Sequence, residues 1–500
     1  MYRNASNLVS MRRRFNKDTK TNHDTGGNPE SKVYNSILEL VGNTPLVKLS
    51  KVPKLYGVQC DIYAKCEYFN PSGSVKDRIG LSMFEDAKKK GVVNDNTTFV
   101  EASSGNTGIG IAFNAALSGN KCIIVTENKN AGEKVDTLNL LGAEVILTQS
   151  NKLEFEIAQK LKNDNPDTTV ILSQFDNEVN PKTHYETTAV EILAALDDVD
   201  VVVMGAGSGG TMTGVAERLK NKNPDCLVVA AEPDGSTMFN TKGKAHPFLV
   251  EGIGGVTIPI SLDTSVVDHY EVVTDQEAFL MARELAKKEG LLCGGSGGAA
   301  MCAAIKAIKT LKIGKGKRVV VILPDGIRNY MSKFVSDQWM EAHHFMEPPQ
   351  HTMKWWNIPI GKLNLSRKYP KANKSSTIRE TLDAMKTNGV NIAVVVDDLG
   401  NYVGAVSKDY IRNIATNPTK LPGEDSEDFN FDDPVSDHLN KNVYTLAVNS
   451  KKGKSTLGLL SRILDISPFV IIGTDDDKDT FTPLGVVTAD DVLDFIQEQN

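Results

Sequence analysis

A single lysine occupies a position that could change its chemistry. Lys76 follows a turn-forming segment, 70–73, and Ser74 is placed to cap the helical run that starts there. In the first turn of a helix, among apolar neighbours, the helix dipole and desolvation both disfavour the ammonium form of a lysine. A lysine that is neutral near pH 7 is a nucleophile and can form a Schiff base. On its own, Lys76 could equally be one solvated helix lysine among many.

Three loops of small residues share the pattern of an anion-binding site. Residues 103–108 follow a strand-like run, 98–100, and open a helix. Residues 207–211 follow the apolar run 201–204 and open another helix, and residues 294–298 precede a third. A strand, a turn of small residues and a helix N-terminus together present backbone N–H groups to an anion. Because three such loops accompany a candidate nucleophile, we predict sites for a phosphate, a carboxylate and a ring.

The elements that must position these loops are short apolar strands alternating with amphipathic helices. Valine and isoleucine runs such as 319–323 indicate strands buried on both faces, as in a parallel sheet. We therefore predict a doubly wound α/β architecture, with ligands at the carboxyl ends of the strands. A dinucleotide-binding fold is disfavoured because the loop 207–211 falls late in the domain. The predicted strands are 61–65, 121–126, 144–148, 169–172, 199–204, 226–231 and 318–323.

Composition limits the functional classes. The chain has 500 residues, 40% of them apolar, and a formal net charge of −7, which supports two or three domains and disfavours nucleic-acid binding. Six cysteines are scattered without a metal-binding spacing, so we expect buried free thiols and no metal site. No apolar run reaches the ~18 residues that a membrane span needs. We expect a cytoplasmic protein without membrane or nucleic-acid partners.

Changes in composition divide the chain into four segments. The predicted segments are a disordered tail, 1–34, an α/β catalytic domain, 35–345, a linker, 346–358, and a C-terminal α+β module, 359–500. The module contains a weak internal repeat, with one copy over 359–418 and another over 432–500. The first copy is predicted to contain strands 392–396 and 402–406, and the second strands 469–472 and 484–487.

The motifs around these loops resemble the β-replacing family of pyridoxal-phosphate enzymes, which includes cysteine synthase and cystathionine β-synthase. The matching stretches are 41–46, 70–78, 104–108 and 207–211, and the similarity covers residues 35–345. Residues 324–330 and the C-terminal repeat are similar to the cystathionine β-synthase branch in particular. The resemblance implies a fold type II catalytic domain and pyridoxal 5′-phosphate as the cofactor.

The resemblance also implies roles for the cofactor-binding residues. Lys76 would hold the cofactor, Asn106 would hydrogen-bond the phenolic oxygen of its ring, and Ser296 would face the pyridine nitrogen. A hydroxyl group beside that nitrogen does not force ring protonation, which favours β-elimination over transamination. Without the other loops, Ser296 would be interpreted as a helix N-cap. The phosphate would be held by the loop of Gly207, Ser208, Gly209, Gly210 and Thr211.

The implied reaction condenses L-serine with L-homocysteine to L-cystathionine and water, with hydrogen sulfide as a side product. Lys76 would remove the α-proton and then protonate the departing hydroxyl. Glu251 matches cystathionine β-synthase, because cysteine synthases usually carry glutamine there, and it is expected to act in the replacement step. The implied substrate-binding residues are Ser103, Ser104, Gly105, Asn106, Thr107, Gln174, Gly252 and Gly254.

Two positions depart from the family pattern. Gly255 stands where the synthase usually has a tyrosine, and Phe175 follows Gln174 where tyrosine is usual. A lost hydroxyl near the substrate could change the preferred thiol. Two alternatives therefore stay open: a cysteine synthase that uses O-acetylserine and sulfide, and a non-catalytic sensor of an adenosyl ligand. The presence of Lys76, Asn106 and Ser296 argues against the second.

The C-terminal repeat resembles the tandem CBS motif, a module that often binds adenosyl ligands. In the second copy, Thr488 is predicted to cap a helix, and Asp491, one turn on, would accept hydrogen bonds from ribose hydroxyls, with Phe469 nearby. In the first copy, Tyr410 takes the position of the carboxylate. We expect at most one adenosyl site, with S-adenosylmethionine as the candidate regulator. A purely structural pair is the alternative.

Two further expectations concern haem and assembly. Many animal members of the family bind an N-terminal haem through a cysteine and a histidine. Here the first cysteine is Cys60 and the tail before it holds only His23, so we expect no haem. The resemblance implies a homodimer whose other partners are its small-molecule substrates.

Overall fold

The computed structural model describes residues 33–103, 105–127, 132–148, 151–365, 369–416, 429–440, 443–450, 453–475 and 480–499. The chain forms two compact units, Met1–Glu39 and Leu40–Asn500. The first unit is described only from residue 33, and all the sheets lie in the second. Nearly all of the predicted tail 1–34 and the predicted site residue Ser104 therefore lie outside the described residues.

The regular elements alternate along the chain as predicted. The strands are β1 Leu46–Lys48, β2 Asp61–Cys66, β3 Thr98–Ala102, β4 Lys121–Glu127, β5 Glu144–Thr148, β6 Thr169–Val170, β7 Val201–Gly205, β8 Leu227–Pro233, β9 His269–Val273, β10 Arg318–Leu323, β11 Lys371–Asn373, β12 Ile392–Val396, β13 Tyr402–Ser407, β14 Thr445–Ala447, β15 Val470–Asp475 and β16 Phe481–Val487. The helices are α1 Val52–Leu55, α2 Lys76–Lys89, α3 Asn106–Ser118, α4 Gly132–Leu140, α5 Asn151–Asp164, α6 Val179–Glu186, α7 Thr188–Leu196, α8 Gly210–Lys222, α9 Asp275–Glu289, α10 Gly295–Thr310, α11 Asp337–Ala342, α12 Ile378–Thr387, α13 Lys408–Thr416, α14 Leu457–Leu464 and α15 Ala489–Gln499.

The larger sheet has six strands in the order β1-β2-β10-β7-β8-β9. All of its pairs are parallel except β1 with β2. The valines of β10 are fully buried, as expected for a strand covered on both faces. Helix α10 is buried along most of its length, because its many glycine and alanine residues let it pack closely against the sheet and α9.

All six cysteines are free and buried, which confirms the prediction of buried free thiols.

The smaller sheet has four parallel strands in the order β5-β4-β3-β6. The predicted α/β class is therefore confirmed, but its strands are divided between two sheets. A strand pattern alone does not identify neighbours, so the sequence did not predict this division. The loops after β3 and β10 nevertheless meet, since Asn106 hydrogen-bonds to Asp325. The carboxyl ends of both sheets thus contribute to one site.

Strand positions agree closely with the prediction. The predicted strands 144–148 and 318–323 match the observed strands residue for residue. Of the predicted strand 169–172, only Thr169–Val170 is a strand in the structure. In the two larger sheets, strands β1 and β9 were not predicted. Strand β9 lies at the edge of the sheet and is mostly only half-buried, so its sequence lacks the continuous apolar run of a central strand.

The C-terminal repeat forms two three-stranded sheets, β11-β12-β13 and β14-β15-β16. In each sheet a short first strand pairs in parallel with the second, and the last two strands form an antiparallel pair. The antiparallel strands were predicted, but the three-residue first strands were too short to give a periodic signal. A shared core that includes Val394, Ala405, Phe469 and Ile471 joins the two copies.

Candidate active site

The loop after β10 fixes the start of helix α2. The N–H of Val75 donates to the carbonyl oxygen of Pro324 at 2.8 Å. Val75 is the residue that precedes the helix, so the prediction that Ser74 is the N-cap was wrong in this detail. The hydroxyl of Ser74 still accepts a hydrogen bond from the N–H of Lys76, at 3.2 Å. Lys76 is the first residue of the helix, as predicted.

The surroundings of Lys76 suit a nucleophile. Burial lowers the pKa of Lys76 to about 8, although the charge of Asp325 acts in the opposite direction. Its Nζ lies 3.4 Å from the Oγ of Ser208, in the loop after β7. Desolvation is therefore the main reason why this lysine loses its proton more easily than an ordinary one.

Two glycines determine how closely α2 approaches α3. A Cβ atom at Gly110 would lie 2.8 Å from the carbonyl oxygen of Lys76, and one at Gly80 would lie 2.7 Å from the carbonyl carbon of Gly110. Any larger residue would force the backbones apart. This crossing keeps the amine of Lys76 beside the loop that precedes α3.

The loop before α3 is held rigid by its own hydroxyl groups. The Oγ of Ser103 accepts hydrogen bonds from the N–H groups of Gly105 and Gly108, at 3.2 and 2.9 Å. The hydroxyl of Thr107 donates to the Oε1 of Gln174 at 2.7 Å. The predicted carboxylate loop and Gln174 are thus brought together. The hydroxyl groups of Ser103 and Thr107 brace the loop, which leaves anion binding to other groups.

Asn106 is held in one orientation by residues that follow β10. Its Nδ2 donates to the Oδ2 of Asp325 at 2.8 Å, and its Oδ1 accepts from the Nδ2 of Asn329 at 2.9 Å. The hydroxyl of Tyr330 donates to the same Asp325 oxygen. Burial raises the pKa of Asp325, while Lys134 and the two donors oppose that rise. Because a carboxylate oxygen can only accept, the Nδ2 of Asn106 must face Asp325, and the amide therefore has one fixed orientation.

The loop of residues 207–211 forms a cradle that only glycines permit. A Cβ atom at Gly207 would lie 2.4 Å from the carbonyl oxygen of Gly252. One at Gly209, where φ is +86°, would lie 2.3 Å from Leu262, and one at Gly210 would lie 2.0 Å from Asn180. Helix α8 begins at Gly210, so its free N–H groups point into the cradle.

The remaining predicted cofactor residue, Ser296, lies in the first turn of α10. Gly294 precedes the helix, so Ser296 is not the N-cap, and its side chain is buried. A Cβ atom at Gly294 would lie 2.1 Å from the Oδ1 of Asp325. The start of α10 therefore packs directly on the residue that holds Asn106.

Glu251 does not stand alone in the site. Its Oε2 accepts from the Nζ of Lys134 at 2.6 Å, and its other oxygen pairs with Lys333. Burial would raise the pKa of Glu251, but the two lysines outweigh it and the pKa falls below its ordinary value. The Lys134 side chain crosses Gly105, where a Cβ atom would lie 2.3 Å from its Cδ. Glu251 thus bridges two cations beside the carboxylate loop.

The segment after Glu251 lies on the glycine cradle. Gly252 and Gly254 have φ values of +85° and +82°, and the N–H of Gly254 donates to the Ala206 carbonyl at 2.8 Å. Both predicted glycines are therefore adjacent to the candidate phosphate site. Of the two residues that depart from the family pattern, Phe175 packs edge-on against Phe155, with ring centroids 5.6 Å apart. The position of Gly255 has no neighbouring atom within 3.4 Å of an added Cβ.

The candidate adenosyl site is built differently from the prediction. The N–H and the hydroxyl of Thr488 both donate to the Oδ2 of Asp491, at 2.8 Å each. The Asp491 carboxylate, instead of the Thr488 hydroxyl, is therefore the acceptor at the start of α15. Phe469 is buried in the core between the two copies. In the first copy, Tyr410 donates from its hydroxyl to the Leu439 carbonyl at 3.3 Å.

Several residues of the site were missed by sequence reasoning. Asp325 orients Asn106, and Lys134 pairs with Glu251, although the two lie far apart in the sequence. Asn180 and His184, one turn apart on α6, contact the hydroxyl groups of the cradle. The segment 324–330 was noted as a family motif, which was a signal for Asp325. No local pattern singled out the other three residues.

Comparison with known proteins supports the assignment of the fold and the site. The family model for pyridoxal-phosphate dependent enzymes matches residues 37–325, and the CBS domain model matches residues 360–416. The cystathionine beta-synthase of Apis mellifera is 39% identical and that of Oryctolagus cuniculus 40% identical, each over 93% of this chain, covering 91% and 85% of those proteins. A hydrogen sulfide-producing enzyme from Fusobacterium nucleatum is 39% identical, with a TM-score of 0.57 over 60% of this chain and 100% of that one.

The fold is that of a pyridoxal-phosphate-dependent enzyme with an attached CBS domain. Within that class, the chain belongs to the cystathionine β-synthase family. Among the described residues, none of the helices has the length and apolar character that crossing a bilayer requires.

The residues of the site fit the cofactor that the family implies. The cradle at 207–211 lies at the start of helix α8, whose first N–H groups have no partner within the helix and suit a phosphate ester. The amine of Lys76 lies 3.4 Å from the Ser208 hydroxyl in this loop, and Asp325 fixes the direction of the Asn106 amide.

Proposed function

We propose that this chain catalyses β-replacement on L-serine, joining its β-carbon to the thiol sulfur of L-homocysteine to give L-cystathionine and water. The carrying observation is the pKa of Lys76, lowered to about 8 by burial, beside the glycine cradle. The relatives named cystathionine beta-synthase, similar over nearly the whole chain, support the same reaction. In this reaction the C–O bond of serine breaks and a C–S bond forms. The α-proton of serine leaves in the water, and the thiol proton replaces it at the α-carbon.

The cofactor, when bound, supplies an electron sink that acidifies the α-proton of the amino acid. The cradle of residues 207–211 would hold its phosphate through backbone N–H groups and the hydroxyls of Ser208 and Thr211. Asn106 would donate its remaining N–H to the phenolic oxygen, and Ser296 would face the pyridine nitrogen. Lys76 would be the covalent attachment point.

Lys76 would also move the protons of the reaction. As a free amine, it would take the α-proton of serine and then donate it to the departing hydroxide, which is otherwise a poor leaving group. A pKa near neutrality suits both steps, because the same amine must accept and then release a proton.

The substrate carboxylate would bind at the loop 103–107, whose geometry is braced by Ser103 and by the contact of Thr107 with Gln174. The segment with Gly252 and Gly254 lies on the cradle and would close over the bound substrate. Glu251 and its two lysine partners lie beside the loop 103–107, and Glu251 would orient the second substrate, homocysteine. Ser104 completes the proposed loop.

One pair of assays tests the proposed reaction. Serine with homocysteine should give cystathionine, identified by mass, at a higher kcat/KM than O-acetylserine with sulfide gives cysteine. A higher kcat/KM for the second pair would assign the chain to cysteine synthase chemistry. Absence of both products from cofactor-loaded protein would leave the sulfide-producing activity considered next and the ligand-sensor alternative.

A sulfide-producing activity is the second candidate function. Gly255 has no side chain where a tyrosine is usual in the family, although an added Cβ there would contact the sulfur of Met238 at 3.5 Å. The similar Fusobacterium nucleatum structure is of a hydrogen sulfide-producing enzyme. Replacing serine by cysteine tests this directly, because the β-substituent then leaves as sulfide. Sulfide release that is faster than cystathionine formation would favour this second function.

We further propose that the chain divides into a tail (1–34), a catalytic domain (35–345), a linker (346–358) and a tandem module (359–418 and 432–500). We also propose that the protein binds no haem and forms a homodimer. The separate cores of the two sheets and of the C-terminal copies support these boundaries. Light scattering tests the dimer. A Soret band that survives purification would contradict the absence of haem.

An adenosyl ligand is proposed for the second C-terminal copy only, built on Thr488 and Asp491 with Phe469 in the adjacent core. Tyr410, tied to Leu439, supports the absence of a matching site in the first copy. Calorimetry on the full chain with S-adenosylmethionine, ATP and AMP tests the site. Heat that persists unchanged in Asp491→Ala would mean that the ligand binds elsewhere, and no heat from any ligand would mean a structural module.

A further inference from the structure

Helix α6 carries two buried polar side chains that contact the glycine cradle. Asn180 and His184 are four residues apart, so they lie on the same face of the helix, and neither has any exposed surface. The packing that brings them there is very close: a Cβ atom at Gly214 of α8 would lie 2.0 Å from the Pro181 carbonyl oxygen. Each of these side chains hydrogen-bonds one hydroxyl group of the cradle.

The amide of Asn180 has a fixed orientation. Its Nδ2 donates to the carbonyl oxygen of Gln174 at 2.7 Å and to the Oγ of Ser208 at 3.0 Å. A backbone carbonyl can only accept, so a flipped amide would set two oxygens against each other. Ser208 therefore accepts from Asn180, and it also accepts from the Nζ of Lys76 at 3.4 Å. Its own proton is left for another acceptor.

The imidazole of His184 has one favoured tautomer for a similar reason. Its Nδ1 lies 2.9 Å from the Oγ1 of Thr188, and its Nε2 lies 3.1 Å from the Oγ1 of Thr211. Thr188 is fully buried, and its hydroxyl has no other hydrogen-bond acceptor among the described residues. If Nδ1 carried the proton, the Thr188 proton would be buried without an acceptor, which is costly. The Thr188 hydroxyl therefore donates to Nδ1, and Nε2–H donates to Thr211.

The neutral state of the ring agrees with this arrangement. Burial, together with the charges of Arg78 and Lys76, holds the pKa of His184 well below its ordinary value. A neutral imidazole has one donor and one acceptor, and the hydrogen bonds with Thr188 and Thr211 use both. Thr211 is only half-buried, at the open side of the cradle, so its proton can point into the site.

We propose that Asn180 and His184 are positioning residues: each donates an N–H to one hydroxyl oxygen of the cradle, Asn180 to Ser208 and His184 to Thr211. The protons of both hydroxyl groups are thereby left to donate to a phosphate ester. This inference rests on the proposed phosphate site at residues 207–211. Two oriented O–H donors then add to the N–H groups of α8 around the dianion. The ligand class is a doubly charged phosphate monoester, and the same ligand without phosphate gains nothing from the arrangement.

The tautomer is tested on the unaltered protein. The histidines are labelled with nitrogen-15, and the signals of His184 are identified as those absent from the spectrum of His184→Gln. The ring-nitrogen chemical shifts of His184 should be those of a neutral ring protonated at Nε2. A proton on Nδ1 would overturn the proposal, as would a doubly protonated ring. The tautomer is read from the unaltered protein, and the variant serves only to assign the signal, a task for which His184→Asn is an alternative.

The second test is the ratio of apoprotein affinities for pyridoxal phosphate and pyridoxal. The side chain of Gln places an amide nitrogen near the position of Nε2, whereas that of Asn mimics Nδ1. His184→Gln should keep the ratio, and His184→Asn should lower it roughly tenfold or more, the effect of one charge-assisted hydrogen bond. Equal ratios for the two variants would overturn the role of His184.

Thr211→Val separates this proposal from the phosphate site itself. It should lower the same ratio roughly tenfold or more, and adding His184→Asn should then cost little further. If Thr211→Val leaves the ratio unchanged, the phosphate does not bind at residues 207–211 and both proposals fail. If Thr211→Val lowers the ratio but the effects of the two changes are additive, the phosphate site stands and the His184 inference falls.

Discussion

Individual residues of this site act through the partners that hold them. Lys76 has a lowered pKa because burial outweighs the attraction of Asp325, and Asn106 has a defined orientation because Asp325 and Asn329 hold its two ends. Asp325 therefore affects two functional groups at once. Its loss should disturb both the proton affinity of the amine and the direction of the amide.

Lys76→Ala should abolish the covalent attachment of the cofactor. The purified wild type should be yellow, with a visible band that borohydride removes, and the variant should lack that band. Because the same amine moves the substrate protons, activity should fall at least roughly a hundredfold. Lys89→Ala, at the exposed end of the same helix, is the matched control and should retain both. A wild type that stays colourless after cofactor addition would contradict the assignment of Lys76.

Glu251→Gln should slow β-replacement with homocysteine while leaving the cofactor spectrum intact. The carboxylate bridges Lys134 and Lys333, and glutamine can accept hydrogen bonds without balancing their charge. We expect cystathionine formation to fall about tenfold, as for the loss of a charge-assisted hydrogen bond. Unchanged kinetics with homocysteine would show that this bridge does not contribute to the replacement step.

Helix crossings are the elements that set distances in the site. Helix α2 touches α3 through Gly80 and Gly110, and α8 touches α6 through Gly214, with no space for a Cβ at any of the three. These contacts bring the lysine, the carboxylate loop and the cradle together, although each belongs to a different βα unit. A change in one crossing should therefore be felt by groups that it does not touch.

Gly110→Ala should separate α2 from α3, because the added Cβ would lie 2.8 Å from the Lys76 carbonyl oxygen. Overpacking of this kind costs about 1–3 kcal/mol of stability, and cofactor affinity should fall with it. Thermal unfolding and cofactor titration measure the two effects. Gly314→Ala is the matched control, since nothing lies within 4 Å of its added Cβ. Equal behaviour of the two variants would show that the crossing does not set the position of Lys76.

At the scale of the whole molecule, the C-terminal module is attached through a buried ion pair. Glu341 of α11 is almost fully buried, and it accepts hydrogen bonds from both Nε and a terminal nitrogen of Arg462 on α14. The second C-terminal copy is therefore in direct contact with the last helix before the linker. A signal from a ligand in the module has a physical route to the catalytic part.

Arg462→Ala should loosen this attachment, because it leaves the Glu341 carboxylate buried without its partner. We expect a loss of about 2 kcal/mol of stability and faster proteolysis within residues 346–358. Thermal unfolding and limited proteolysis measure these effects. Arg412→Ala removes an exposed pair with Asp409 and should change neither. Identical proteolysis of the two variants would argue against a role of this ion pair in docking.

The sequence by itself determined the local elements of this protein. Buried valine runs indicated strand positions, and turns of small residues indicated where helices α3, α8 and α10 begin, because these signals depend only on residues close in the chain. Lys76 could be recognised for the same reason. The antiparallel strands of both C-terminal copies were also predicted from their own sequences.

Only the tertiary structure decided which of these elements are neighbours. The tertiary structure divides the parallel strands between two sheets. It also joins residues more than a hundred positions apart, as in the hydrogen bonds between Asn106 and Asp325 and between Glu251 and Lys134. The hydroxyl network of Asn180 and His184 likewise depends on how α6 packs against α8. Packing and hydrogen bonding across the fold set these contacts, and no local pattern in the sequence carries that information.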